Sequence, residues 1–254
     1  MFAVNAAFSG GKLLVFSPHM DDAVLSCGEL IAQHPETCVV TVFAAAPPGF
    51  SRLTDWDAAS GFRDARQAIE CRRREDGRAL SLLAARPAWL DFCDAQYEAT
   101  PTLPCLTAAL LQVLRAHAPD TVLLPAGLFH SDHVLLHRAL LSARRAKRSA
   151  AGSAPTAWLM YEDALYRRIR GLLQRRLAAL ARAGVGATPL AFEQRDDARS
   201  RKRTALACYA SQLHALDAAA NGHDDAYAPE RYWRLDNDAD NDSDSDSNRD
   251  EPAS

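Results

Sequence analysis

His19, Asp21 and Asp22 stand within four consecutive positions of the stretch Lys12 to Gly28, KLLVFSPHMDDAVLSCG. One imidazole and two carboxylates so close together can bind a cation or carry a proton. Far downstream lies a second group, Phe129-His130-Ser131-Asp132-His133. Together the two groups offer His19, Asp21, Asp22, His130, Asp132 and His133. Two imidazoles and one carboxylate make a three-ligand site with an open position for water, the arrangement of catalytic zinc. Side chains left over from that set would serve acid–base work. Water at such a centre ionises near neutral pH, and a neighbouring carboxylate can take its proton.

Such distant residues meet only if the fold brings them to one place. Leu13 to Phe16 is a short apolar run ended by Pro18, which reads as a buried strand. Ala23-Val24-Leu25 starts a helix running to Gln33. The first group therefore sits on a strand-to-helix turn. Thr121 to Leu124, closed by Pro125, is a strand that leads into the second group. Strand ends of a parallel sheet open on one edge, where ligands of open α/β sheets bind. Other expected strands are 38–46, 88–92, 157–161 and 188–192. Expected helices cover 62–83, 102–117, 135–148, 164–183 and 197–216, with a loop at 49–62. This alternation predicts parallel βαβ units with right-handed crossovers. The expected fold class is α/β, a Rossmann-like three-layer αβα architecture with a mostly parallel sheet. No GxGxxG follows the first strand, so no dinucleotide is expected.

The chain has 254 residues, 48% of them hydrophobic and 24% charged, enough for a sizeable core. No apolar run approaches the ~20 residues of a membrane span. The N-terminus lacks the basic region of a secretory signal, so a cytoplasmic location is expected. Cysteines 27, 38, 71, 93, 105 and 208 form no CxxC pair, which excludes a cysteine zinc site and a dense disulfide framework. The net charge of −3 is uneven: residues 236–254 hold eight acidic residues and one arginine. The rest of the chain is therefore mildly basic. We read residues 1–235 as one domain and 236–254 as an acidic, low-complexity, disordered tail. Its DxDxD run lacks the glycine and terminal glutamate of a calcium loop. Nucleic acid is not expected as a partner, since no recognition motif is present and the tail would repel phosphate.

Ser17-Pro18-His19-Met20-Asp21-Asp22, followed by His130-Ser131-Asp132-His133, resembles the zinc-dependent N-acetylglucosamine de-N-acetylases of the LmbE-like, or PIG-L, family. The resemblance runs from about residue 12 to 213. Weaker matching pieces are Arg72-Arg73-Arg74-Glu75, Leu90 to Asp94, Tyr161-Glu162-Asp163 and Lys202 to Gln212. It implies His19, Asp22 and His133 as ligands of Zn2+, with Fe2+ also suited, and Asp21 as the general base. His130 would stabilise the oxyanion or protonate the leaving amine. Asp132 would hold His130 by a hydrogen bond and raise its pKa. Arg72, Asp94 and Ser26 would meet the substrate. Met20 and Ala23 depart from the family pattern without touching the ligands. The implied reaction hydrolyses the N-acetyl group of an N-acetylglucosamine conjugate, small-molecule or carrier-linked, and releases acetate. A homo-oligomer is compatible with the sequence.

Competing readings are plainer. A lone His-x-Asp-Asp turn is well explained by helix capping. His137, four residues after His133, could be a ligand or an ordinary interior or surface histidine. Arg72 to Arg74, and the stripe Arg167, Arg168, Arg170, Arg175 and Arg176, are by default solvated helix faces. Tyr161, Trp158 and Trp233 are by default core. A metallohydrolase for another amide and a non-catalytic sugar-binding protein remain as alternative functions; a base beside the metal argues against the second.

Overall fold

Every residue of β1 (Leu13–Ser17) is buried, as is every residue of β4 (Thr121–Pro125). Such unbroken burial needs helices on both faces of the sheet. Alternate side chains serve opposite faces. Leu13 and Val15 join one hydrophobic cluster with Leu30, Leu80 and Leu206. Leu14 and Phe16 join another with Leu110, Leu140 and Leu180. The computed structural model describes residues 11–49, 52–149, 155–218 and 222–237. One helical layer contains α1 (Asp22–Gln33), α3 (Ala65–Leu82) and α7 (Asp196–Leu206). The other contains α4 (Leu103–His117), α5 (Ser131–Ser149) and α6 (Leu172–Arg182). The fold is three-layer αβα, as expected.

The seven-stranded sheet has the order β3-β2-β1-β4-β5-β7-β6. Its remaining strands are β2 (Cys38–Thr41), β3 (Arg86–Trp89), β5 (Ala157–Tyr161), β6 (Val185–Leu190) and β7 (Tyr232–Asn237). Neighbours from β3 to β5 pair in parallel. Strand β7 runs antiparallel between β5 and β6. From β1 the chain builds outward through β2 and β3, and β4 begins the other half. The order thus reverses between β1 and β4, at the topological switch point where open α/β sheets bind ligands.

Several expected boundaries move. The stretch 49–62 contains a short helix, α2 (Asp55–Ala59), capped by the Thr54 hydroxyl. The helix expected over 164–183 divides into a 3-10 turn, Ala164–Tyr166, and α6, with Gly171 at φ 79° before α6. The helix expected over 197–216 divides into α7 and α8 (Ala210–Ala218). Strand β7 was not expected and takes in Asp236 and Asn237, two residues given to the acidic tail. Pairing with β6 offsets its weak apolar signal. The remainder of the expected tail lies outside the described residues.

Helix α1 bends at Cys27, where φ is −143° and ψ 27°. The amides of Glu29 and Leu30, released by that bend, donate to the two Glu230 oxygens at 2.8 and 3.1 Å. Lys202 pairs with Glu230 at 2.8 Å, and the Tyr232 hydroxyl donates to it at 2.6 Å. The broken helix is thus capped by a buried, neutralised carboxylate. Its first turn can follow the β1 exit while its second half packs on the sheet.

Candidate active site

Ser17 sets the turn after β1. Its hydroxyl donates to the His19 carbonyl at 2.6 Å and accepts from the Ala23 amide at 3.0 Å. Asp21 occupies the N-cap position of α1, but its side chain makes no cap hydrogen bond. Asp22 folds back instead, and its Oδ2 accepts from the His19 amide at 2.9 Å. Capping therefore does not account for these carboxylates.

The same Asp22 Oδ2 lies 3.2 Å from His19 Nδ1 and 3.1 Å from His133 Nε2. His133 arrives on the first turn of α5, beyond β4. Ligand atoms of His19, Asp22 and His133 all lie within 4.8 Å of one another. His19, His130 and Asp132 form a second such group sharing His19. Both imidazoles of the first group are held from behind. His133 Nδ1 lies 2.7 Å from Asp163 Oδ1, and Asp163 Oδ2 accepts from the Leu128 amide at 3.0 Å. His19 Nε2 lies 3.0 Å from Asp132 Oδ2, which also accepts from the Ala95 amide at 3.0 Å. A carboxylate behind an imidazole sets its tautomer and strengthens it as a ligand. The geometry and the donor set fit a divalent cation.

Charge is arranged to match. Burial opposes ionisation of Asp22, yet His133 and His19 hold its carboxyl well below the usual range. Burial likewise opposes a charge on His19, yet Asp94, Asp132 and Asp22 lift its pKa well above 6.5. For His133, Asp22 and Asp163 overcome burial and raise it to about 9. Burial, then the Asp22 charge, pushes Asp21 up to about 7. Positive charge is therefore favoured between these carboxylates.

Residues 14–144 match the PIG-L family, described as GlcNAc-PI de-N-acetylase. The chain belongs to the PIG-L family. Among its relatives is the 2'-N-acetylparomamine deacetylase of Streptomyces fradiae, 30% identical over 177 residues, or 61% of this chain. The match spans 58% of that relative's length. A solved deacetylase of the teicoplanin pathway, a triple mutant, superposes with a TM-score of 0.72 and 26% identity. That likeness covers 90% of this chain and 99% of the other. The deacetylase of the A40926 pseudoaglycone superposes with a TM-score of 0.69 and 26% identity, covering 89% and 97%.

The PIG-L match takes in both groups, and the structure joins them as expected, with three corrections among the accompanying residues. Asp132 does not hold His130 through its carboxylate. That carboxylate turns to His19 and Ala95, while the Asp132 amide donates to His130 Nδ1 at 3.3 Å. His130 has its pKa lowered, by burial and then by His19 and His133. Ser26 is buried, and its hydroxyl accepts from the Ala164 amide at 3.1 Å, so it faces the packing of α1 and not a substrate. Arg72 is no solvated arginine: it is buried 2.8 Å from Asp57 Oδ1, and Phe62 lies against its guanidinium. It remains close enough to Asp21 to lower that carboxyl's pKa. Asp94 stands at the site, its Oδ2 3.7 Å from His19 Nε2 and its Oδ1 accepting from the Gln96 amide at 2.9 Å.

His137 is an interior histidine: its Nδ1 faces the Pro125 carbonyl at 2.8 Å, and burial, then Arg176, drives its pKa down to about 3. Tyr161, Trp158 and Trp233 belong to the core. From the arginine stripe, Arg167 pairs with Glu162 at 2.7 Å and Arg176 donates to the Gly127 carbonyl at 2.6 Å. Asp163 received no role from the sequence. It lies outside the PIG-L match; its signals were the weak Tyr161-Glu162-Asp163 resemblance and an acid just past the end of β5, on the edge where β1 and β4 also end. Among the described residues no disulfide forms, and no helix is long and apolar enough to cross a membrane.

Proposed function

We propose that this chain is a metal-dependent hydrolase that removes the N-acetyl group from an amino sugar within a larger conjugate. The carrying observation is the Asp22 oxygen shared by His19 and His133, beside an Asp21 carboxylate that forms no hydrogen bond among the described residues. The relatives named above are deacetylases of aminoglycoside or glycopeptide compounds, which supports a substrate of that broad class. N-acetylglucosamine is the sugar we propose.

His19, Asp22 and His133 would hold the cation, and two imidazoles with one carboxylate suit zinc, with ferrous iron as the alternative. When bound, it supplies polarisation of the acetamide carbonyl and acidification of water. An amide also needs a base for that water and a proton for the departing amine. Asp21 is the base, beside the ligands and free of structural duties. His130 faces His19 edge-on with ring centroids 5.1 Å apart, where it can donate to the oxyanion or the amine. Asp132 and Asp163 keep His19 and His133 in the ligand orientation. Arg72 holds positive charge behind Asp21 and is anchored by Asp57. Asp94, partly exposed at the site, accepts from sugar hydroxyls.

The test is acetate and amine release over a panel of N-acetylglucosamine conjugates, with metal-reconstituted protein and Asp21→Asn as control. Turnover by the wild type, lost in the control at equal metal content, supports the proposal. Equal turnover by both proteins would remove Asp21 from the mechanism.

A further inference from the structure

Beside the metal-competent group stands a row of rings that hydrolysis itself does not require. Tyr166 packs against His133 with centroids 5.2 Å apart, and Phe129 lies 5.3 Å beyond Tyr166. Phe129 is next in sequence to His130 and is 66% exposed. Its backbone has φ 60°, in a three-residue turn closed by the His130 amide donating to the Leu128 carbonyl at 2.7 Å. A bulky residue in the left-handed region is an outlier, and a turn of this kind is strained. Leaving a phenyl ring in water costs further free energy. Strain kept at the lip of a site is expected where the residue meets a ligand.

Tyr166 and Leu128 also line a cavity of about 340 Å³. Ile169, 40% exposed, adds apolar surface there, and Arg168, Arg170 and Arg231 stand exposed around it. Arg168 is paired with Asp225 at 2.8 Å and Arg231 with Glu162 at 3.4 Å. The wall is mixed: Leu128, Tyr166 and Ile169 give it an apolar side, while Glu162, Gln174 and the arginines make the larger part of it polar and on balance basic, which does not invite a polycation.

Resting on the deacetylase reading above, we propose that Phe129 and Tyr166 form the subsite for the group attached to the amino sugar. That group is ring-bearing, apolar and not cationic. It stacks on Phe129 while the acetamide faces His19, Asp22 and His133.

The test measures binding of phenyl and methyl N-acetylglucosaminides by calorimetry to the metal-reconstituted wild type, Phe129→Ala and Phe129→Trp, with acetate release followed in parallel. The wild type should bind the phenyl glycoside about three- to tenfold more tightly than the methyl glycoside. Phe129→Ala should abolish that preference and Phe129→Trp keep it, with metal content equal in all three. Equal binding of both glycosides by the wild type would overturn the subsite, as would a preference that survives Phe129→Ala. Tighter binding of an N-acetylated aminoglycoside than of the phenyl glycoside would also overturn it. Preference without acetate release would uphold the subsite and sink the deacetylase reading, so the two failures are distinguishable.

Discussion

His19 Nε2 lies 3.0 Å from Asp132 Oδ2, joining residues 113 positions apart in sequence. The other nitrogen of the same ring, Nδ1, faces Asp22 at 3.2 Å. Asp163 stands in the same relation to His133, on the ring nitrogen opposite Asp22. Each imidazole is thus fixed by one carboxylate and presented to another.

Removing the charge behind His19 should weaken metal binding. We expect Asp132→Asn to lower affinity for zinc about ten- to a hundredfold, measured by competition with a chromogenic chelator. An unchanged affinity would mean that Asp132 does not act through His19.

Ligands and base should separate cleanly. His133→Ala is expected to lose the metal itself by elemental analysis. Asp21→Asn should keep the metal and lose about 10²–10⁴ in kcat. Loss of metal from Asp21→Asn would make Asp21 a ligand and not the base.

The cap inside α1 should be costly to break. Lys202 and Glu230 are both buried and 2.8 Å apart. Lys202→Ala leaves the Glu230 carboxylate buried without its cation, and urea unfolding should show a loss of about 3–5 kcal/mol. A change under about 1 kcal/mol would show that the amides of Glu29 and Leu30, with Tyr232, suffice to hold that charge.

Asp76 should make stability depend on pH. Burial raises its pKa from 3.8 to about 7, against the hydrogen bonds from Trp89 Nε1 and the Tyr209 hydroxyl. The folded chain therefore keeps a proton that the unfolded chain releases at lower pH. Stability from this group is full below 3.8 and is lost as pH rises toward about 7. Asn at this position stays neutral, can accept from Trp89 and can donate to Tyr209. Asp76→Asn should match the wild type at about pH 4 and exceed it by a few kcal/mol at about pH 8 in urea midpoints. A constant difference at both pH values would assign the effect to packing.

The parallel part of the sheet, the exit turns after β1 and β4, and the six side chains that those turns carry were legible in the chain alone. Short apolar runs, prolines that end them and dense His/Asp spacing are local signals, and local signals survive without coordinates. What each side chain touches is decided by strands and loops far apart in the chain. The resemblance gave Ser26 a substrate-side role, but its hydroxyl meets the Ala164 amide. Arg72 reads as a surface arginine until Asp57, from the short helix α2 in a stretch expected as a loop, closes over it. Asp132 and Asp163 become the supports of His19 and His133 only once β4, β5 and the loop carrying Ala95 stand side by side. Strand β7 had little apolar pattern of its own and exists because β5 and β6 leave edges for it to bridge. Hydrogen bonds and ion pairs depend on direction and on ångström distances, which spacing along a chain does not encode; only packing supplies them.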